Sequence, residues 1–293
     1  MSSPTPTPTL KQAVLCADDY ALNAPVSQGI VALAVLGRLS ATSVMSLSPR
    51  WREDVAALRE VRERLDVGVH LDWTSRFAID AGHGSGLGLL MARAALRGFN
   101  QQTLQDEMQR QLDAFETLWQ AAPDHVDGHQ HIHQFPVFRD ALAEVLMQRY
   151  GASAARPWVR VSQVAQPGLK ASVISRMGAE PLRQWAQQQA WPKVAPLFGA
   201  YGFDGSLEDY ARHMQDWLAH VPTDQVALIM CHPAVSAQAD DAIGAARKRC
   251  HQASVGSGCC SVHLCRQGNR LHRGRLWHSR ASRSPGRFNR FRT

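Results

Sequence analysis

The sequence predicts an α/β protein with a parallel sheet that is either open or closed into a barrel. Two observations favour this class. Stretches with strand character alternate with stretches of helical periodicity along most of the chain, which is typical of parallel sheets. The 293 residues also suit one such domain, because α/β barrels of this size commonly form a single domain.

The first part of the chain alternates regularly. Its strands are short runs of apolar or β-branched residues, and its helices carry apolar residues three and four positions apart. Pro25 lies near the start of the first helix, where proline is favoured. The predicted strands are 13–19, 41–47 and 66–73, and the predicted helices are 24–39, 51–65 and 103–120, with a glycine-rich loop over 81–90.

The second part of the chain contains fewer clear strands. Ser206 is a plausible N-cap for a helix over 206–220. The segment 163–200, rich in Gln, Ala and Trp, predicts an inserted helical region. The other predicted elements are a helix over 136–150, a strand at "PWVRVS" (157–162), and a last buried strand at "QVALIMCHPA" (225–234).

Polar residues stand where four of the predicted strands end. In a parallel α/β sheet the carboxyl ends of the strands share one edge, where barrel enzymes build their sites. The convergence of four separate polar ends is stronger evidence for a site than any single motif. These residues are Asp18 and Asp19, His70 and Asp72, Asp127 and His129, and His232.

The stretch "HVDGHQHIH", residues 125–133, concentrates four histidines and one aspartate. All five occupy odd-numbered positions, so they would share one face of an extended chain. A zinc-protease helix is disfavoured, because position 130 is Gln instead of the required Glu and Gly128 suits a helix interior poorly. We therefore predict a short strand running into a loop that ends at Pro136, with a solvated polar loop as the alternative.

A carboxylate with two imidazoles is a common ligand set for Zn²⁺, Fe²⁺ or Mn²⁺. Asp18 and Asp19 would point to opposite sides of a regular strand, so one can ligate a metal while the other acts on a metal-bound water. His70 has the alternative role of a core histidine. A metal-dependent phosphoesterase is a further alternative, which usually needs a second metal about 3.5–4 Å away, with His131 and His133 as its ligands.

The net charge of +7 comes from the end of the chain. Residues 1–247 carry 21 basic and 25 acidic groups, whereas 248–293 carry 11 basic groups and no acidic one. We interpret 1–10 as a disordered leader, 11–247 as the barrel domain and 248–293 as an anomalous basic tail, disordered or frame-shifted. A nucleic-acid-binding arm and a zinc knuckle are the alternatives for this tail. The sequence lacks a signal peptide and an apolar run of about 20 residues, which predicts a cytoplasmic protein without a membrane span.

Four motifs together resemble one family. "CADDYALN", "VGVHLDWT", "HVDGHQHIHQFP" and "MCHPA" are similar, in order and spacing, to the signatures of the YdjC-like carbohydrate deacetylases, which include chitooligosaccharide and hopanoid-biosynthesis-associated deacetylases. The resemblance implies a distorted, incomplete (β/α) barrel. It also implies a hydrolase that removes an acetyl group from an N-acetylated sugar.

The resemblance assigns roles by position. Asp19, His70 and His129 would hold one divalent metal ion, Zn²⁺ or Mg²⁺, with Asp18 as the base and His232 as the acid. The metal-activated water would attack the acetyl carbonyl, and Asp127 would orient a ligand imidazole. His131, His133 and Arg160, on the predicted strand 157–162, are further candidates for supporting or substrate-binding residues. The expected substrate is a small acetylated sugar or glycolipid. No nucleic-acid partner is expected, and a homodimer is one alternative for the oligomeric state.

Overall fold

A curled parallel β-sheet lies at the centre of the molecule, as shown by a computed structural model that describes residues 11–165, 168–256 and 262–264. Eight strands form a nearly closed barrel surrounded by helices, and every named strand pair is parallel. The strands are β1 (Lys11–Tyr20), β2 (Ala41–Val44), β3 (Asp66–Leu71), β4 (His125–Gly128), β5 (Trp158–Arg160), β6 (Lys193–Val194), β7 (Leu197–Phe198), β8 (Ala227–Cys231) and β9 (Val262–Leu264).

The strand order is β6-β5-β4-β3-β2-β1-β8-β7, and β9 pairs with the beginning of β1. The path ends at β6 and β7, which are two-residue strands on either side of an unsealed seam. This seam confirms the expectation of a distorted, incomplete (β/α) barrel.

Helices cover the outside of the barrel. Asn23 caps the first helix by accepting a hydrogen bond from the Val26 amide (3.0 Å), and Ser206 forms the predicted cap, as part of a capping box with Asp209. The helices are α1 (Ala24–Val35), α2 (Trp51–Glu60), α3 (Arg76–Asp80), α4 (Leu87–Ala95), α5 (Gln101–Trp119), α6 (Phe138–Tyr150), α7 (Leu169–Arg176), α8 (Ala179–Gln188), α9 (Leu207–His220) and α10 (Gly244–Gly256).

Alternation along the strands separates two apolar clusters. In β1, Ala13, Leu15 and Ala17 belong to the large cluster that packs against the helices. Val14 and Cys16 belong to a smaller cluster inside the barrel, because successive side chains of a strand point to opposite faces. On each strand every second side chain therefore faces the barrel interior. These side chains, hereafter the inward series, continue to the carboxyl end of the strand.

Two predicted segments differ from the structure. The glycine-rich loop over 81–90 runs into α4, where Leu90 and Ala94 are buried one helical turn apart. The segment 163–200 contains helices as expected, but it also supplies β6 and β7 to the barrel. A two-residue strand is too short to show alternation of apolar and polar residues, so the sequence does not reveal it.

The predicted boundary between residues 247 and 248 lies inside α10. Cys250 and Ser254 on this helix are buried, so the packed part of the chain extends at least to residue 255. Residues 248–255, the start of the predicted tail, belong to this helix, which packs against α1 and α9. Most of residues 257–293, and the leader predicted over 1–10, lie outside the described residues. None of the described helices has the length and apolarity needed to cross a bilayer.

Candidate active site

The inward series of the strands becomes polar at the carboxyl edge of the barrel. On the inward face, two positions further along the strand, Asp18 comes after Cys16 in β1, His70 after Gly68 in β3, and Asp127 after His125 in β4. Trp158 is followed by Arg160 in β5, and Met230 by His232 after β8. All of these polar side chains except that of His232 are buried, so charged groups are concentrated at the mouth in a low-dielectric environment.

Asp19, His70 and His129 meet at one point of this mouth. Asp19 Oδ1 lies 3.2 Å from His70 Nε2 and 3.0 Å from His129 Nδ1. One ligating atom from each residue falls within 4.8 Å of the others. The structure therefore brings together the three residues that were predicted as metal ligands.

A bulge in β1 explains how both aspartates reach the site. The register of β1 against β2 shifts between Ala17 and Tyr20, and Asp19 has a φ of 70°. The alternation of side chains is interrupted there. As a result, the two carboxylates do not point to opposite sides: Asp18 and Asp19 each form a separate potential ligand group with His70.

Two other potential ligand groups lie next to this one, and Arg160 contacts residues of both. Cys16, His125 and Asp127 form one alternative group, and Asp18, His70 and Asp127 form the other. The buried guanidinium of Arg160 lies 2.5 Å from Asp127 Oδ2 and 2.6 Å from Asp18 Oδ1, and 3.2 Å from Cys16 Sγ. Arg160 thus contacts both oxygens of Asp18 as well as Asp127 Oδ2. In the third group Arg247 contacts only Oδ2 of Asp19, so Oδ1 stays directed at His70 and His129, and this group suits a metal ion best.

The donor set fits a divalent ion. Ligands at about 2.0–2.2 Å from a metal lie about 3.0–3.4 Å from each other in octahedral or tetrahedral coordination. The separations of 3.0 and 3.2 Å around Asp19 Oδ1 match this range. Two imidazole nitrogens and one carboxylate oxygen are typical of Zn²⁺, Fe²⁺ and Mn²⁺ sites.

Asp127 orients the ring of His70 from the side opposite Asp19. His70 Nδ1 donates a hydrogen bond to Asp127 Oδ1 (2.6 Å), which leaves Nε2 facing Asp19. Burial disfavours the imidazolium form, but Asp127 and Asp19 outweigh it and raise the pKa of His70 to about 10. The arrangement thus stabilises positive charge between His70 and Asp19, where a metal ion would lie.

Asp18 is held in a buried ion pair. Arg160 donates to both of its oxygens, at 2.6 and 2.7 Å. Burial alone would raise the pKa of Asp18, but the guanidinium outweighs it and keeps that pKa below its ordinary value. Asp18 is therefore an ionised carboxylate at neutral pH.

His232 lies beside this carboxylate, with Nε2 3.9 Å from Asp18 Oδ2 and a side chain that is 15% exposed. Burial lowers the pKa of His232 to about 4, and Asp18 opposes this shift only partly. The free imidazole is consequently neutral at pH 7.

The remaining histidines of "HVDGHQHIH" do not share the face of His129. The predicted short strand is present as β4, and after it the chain turns sharply, with positive φ at Gln130 and His131. The shared face of an extended chain therefore ends at Gly128. His131 contacts the Ser162 hydroxyl (3.0 Å) and His133 Nε2 donates to the Arg160 carbonyl (2.9 Å). Neither belongs to a potential three-residue ligand group among the residues that the structure describes.

Arg247 is a site residue that the sequence did not reveal. It lies on α10, is buried, and donates to Asp19 Oδ2 (2.7 Å) and to Asp241 Oδ2 (2.7 Å). Burial raises the pKa of Asp19 in isolation, but Arg247 and His129 outweigh it and hold that pKa well below its usual range. No motif marks Arg247, because it follows the last strand that the sequence predicts (225–234) and stands in a run of basic residues.

Comparisons with known proteins agree with the motifs. The chain belongs to the YdjC-like protein family, whose sequence model matches residues 12–257. A chitooligosaccharide deacetylase from Serratia marcescens is 28% identical over 132 residues, which cover 43% of this chain and 52% of the relative. A carbohydrate deacetylase from Mus musculus is 28% identical over 155 residues, which cover 49% of each protein. The chain therefore spans about half the length of these curated relatives.

A solved structure has the same fold. It is a protein from Enterococcus faecalis V583, provisionally described as a cellobiose-phosphate cleavage protein. The two structures superimpose with a TM-score of 0.64 at 19% identity, over 84% of this chain and 91% of that chain. At this identity the likeness shows the fold alone.

Proposed function

We propose that this YdjC-like chain is a metal-dependent carbohydrate deacetylase that hydrolyses the acetamide of an N-acetylated sugar. The observation that carries the proposal is the convergence of Asp19, His70 and His129 beside an ionised Asp18 and a neutral His232. The two curated relatives are named as deacetylases of carbohydrates, which supports a sugar as the substrate.

The proposed ligands are Asp19, His70 and His129. A divalent ion held by them would supply Lewis acidity to the acetyl carbonyl and to the attacking water. Two imidazole nitrogens favour Zn²⁺ over Mg²⁺, which prefers oxygen ligands. Arg247 and Asp127 keep Asp19 and His70 in position through the hydrogen bonds described above.

The proposed proton transfers use Asp18 and His232. Asp18 accepts the proton of the attacking water, and Arg160 holds its carboxylate in one orientation throughout. His232 delivers a proton to the departing amine nitrogen. Because the resting imidazole is neutral, His232 must first acquire that proton. Its proposed source is Asp18, which has accepted the proton of the water and lies 3.9 Å away.

An acetate-release assay tests the proposal. Protein stripped with a chelator and reloaded with Zn²⁺, Mg²⁺ or Mn²⁺ is offered N-acetylated sugars and acetylated glycolipids, and metal content is measured in parallel. His129→Ala should lose metal and activity together. Asp18→Asn should retain metal while kcat falls about 10²–10⁴-fold, as expected for loss of a general base. His220→Ala, on the exposed side of α9, is the matched control and should behave as the wild type.

Two outcomes would contradict the assignments. Equal loss of metal and activity in Asp18→Asn would make Asp18 a ligand. Release of phosphate from sugar phosphates, with two metal ions per chain and no acetate release, would favour the phosphoesterase alternative.

A further inference from the structure

One loop brings aromatic side chains to the mouth of the barrel. It comprises residues 199–206, hereafter the aromatic loop, and it connects the carboxyl end of β7 to α9. Because β7 is parallel to β8, the loop leaves the barrel at the same edge as Asp18 and His232. Tyr201 and Phe203 are its two aromatic residues.

The backbone of the aromatic loop is constrained from both sides. Gly199 has a φ of 95°, and a Cβ there would lie 2.2 Å from the Met230 carbonyl oxygen. Phe203 has a φ of 64°, a conformation that is costly for a bulky L-residue. Arg249 on α10 donates to the Phe203 carbonyl (3.0 Å), so a contact from another element helps to hold this conformation.

The constrained backbone directs the Phe203 ring to the candidate active site. Its centroid lies 5.4 Å from that of the His232 ring, and the two rings are nearly perpendicular (85°). Tyr201 packs against the Phe203 ring at 4.8 Å. Phe203 is nevertheless partly exposed, so part of its surface, beside His232, is accessible to solvent.

We propose that Phe203 is a specificity-determining residue that packs against the apolar face of the substrate's sugar ring. This inference rests on the proposed function and adds to it a reason for choosing a sugar over other acetamides. The charged groups at the mouth suit the polar acetamide, whereas the ring carbons of a pyranose need an apolar surface. Ligand sites commonly combine a few directed polar groups with such aromatic walls.

Direct binding and turnover together test this inference. The probe is di-N-acetylchitobiose, titrated calorimetrically into metal-free wild type, Phe203→Leu and Phe203→Trp, followed by KM and kcat for the metal-loaded proteins. Leu keeps an apolar side chain without a ring, and Trp keeps a ring. Leu36→Ala, an exposed position after α1, is the control for loss of surface apolarity.

Phe203→Leu should weaken binding and raise KM by about tenfold, since covering one face of a sugar ring removes apolar area worth roughly that factor. Its kcat should change little, and Phe203→Trp should bind within about threefold of the wild type. Acetate release from N-methylacetamide, a substrate without a ring, should be unaffected by Phe203→Leu.

Several results would overturn the inference. These are wild-type affinity in Phe203→Leu, an equal loss in Phe203→Trp, or an equal loss of activity on N-methylacetamide. A wild type that binds no sugar would also overturn it. If the sugar binds through Phe203 but no acetate is released, the proposed function fails while the aromatic contact stands.

Discussion

Arg160→Met removes the guanidinium that two buried carboxylates share. The Arg160 side chain is fully buried and contacts Asp18 and Asp127 at 2.5–2.7 Å. Methionine fills most of the same volume and leaves no unpaired polar atom of its own. The substitution therefore isolates the loss of charge compensation from the creation of a cavity.

The expected cost follows from the two ion pairs. Each pair is worth about 4 kcal/mol at a charge separation of ~4 Å and an effective dielectric constant of ~20. The variant no longer has to bury a guanidinium, which returns several kcal/mol. We expect a net destabilisation of about 3–5 kcal/mol at pH 7.5, as found for other broken buried pairs, or roughly 10 °C in Tm for a domain of this size.

The pH dependence has a defined sign. In the wild type the lowered pKa of Asp18 contributes stability that is present above about pH 4 and is lost as the pH falls through the folded-state pKa. In Arg160→Met the guanidinium no longer opposes burial, so the pKa of Asp18 rises. The cost of the substitution should therefore be greatest at neutral pH and smaller near pH 5.

Thermal and urea unfolding in the presence of a chelator, at pH 7.5 and pH 5, measure both effects without a contribution from bound metal. Arg183→Met, which breaks an exposed pair with Glu180, is the matched control and should leave the free energy of unfolding nearly unchanged. A cost below about 1 kcal/mol for Arg160→Met at pH 7.5, or a cost that grows on acidification, would refute the reasoning.

Two further substitutions test the surroundings of the site. Asp127→Asn should weaken metal binding by about 10–100-fold in a competition titration, because His70 loses the carboxylate that orients it; unchanged affinity would remove Asp127 from this role. Gly68→Ala should lower the free energy of unfolding by about 1–3 kcal/mol, since its Cβ would lie 2.4 Å from the His125 ring, which is stacked on Trp158. A neutral effect would mean that this ring moves freely.

Local sequence determined much of the fold and the proposed ligand set. The short apolar strands that alternate with amphipathic helices specify a parallel sheet, and the polar residues just past Cys16, Val69 and Cys231 mark one edge of it. Asp19, His70 and His129 could be grouped because each follows its own strand, and parallel strands end together. The four motifs are also sufficient to indicate the family, whose sequence model matches residues 12–257.

Other features depended on contacts that are distant in the sequence. The turn after Gly128 sends His131 and His133 away from His129, because positive φ at residues 130 and 131 interrupts the alternation. The two-residue strands β6 and β7 exist only because longer neighbours offer them hydrogen-bonding partners. Neither result can be derived from local propensity, since tertiary context decides the conformation of such short segments.

Charge compensation at the site was decided by the tertiary structure alone. Arg160 meets Asp18 across 142 positions, and Arg247 meets Asp19 across 228. The sequence shows that buried carboxylates need cations nearby, but 32 basic residues could supply them. Only the place of β5 within the barrel and the packing of α10 against it select these two. An ion pair requires a separation of a few ångströms, and a pattern of residue types contains no distances.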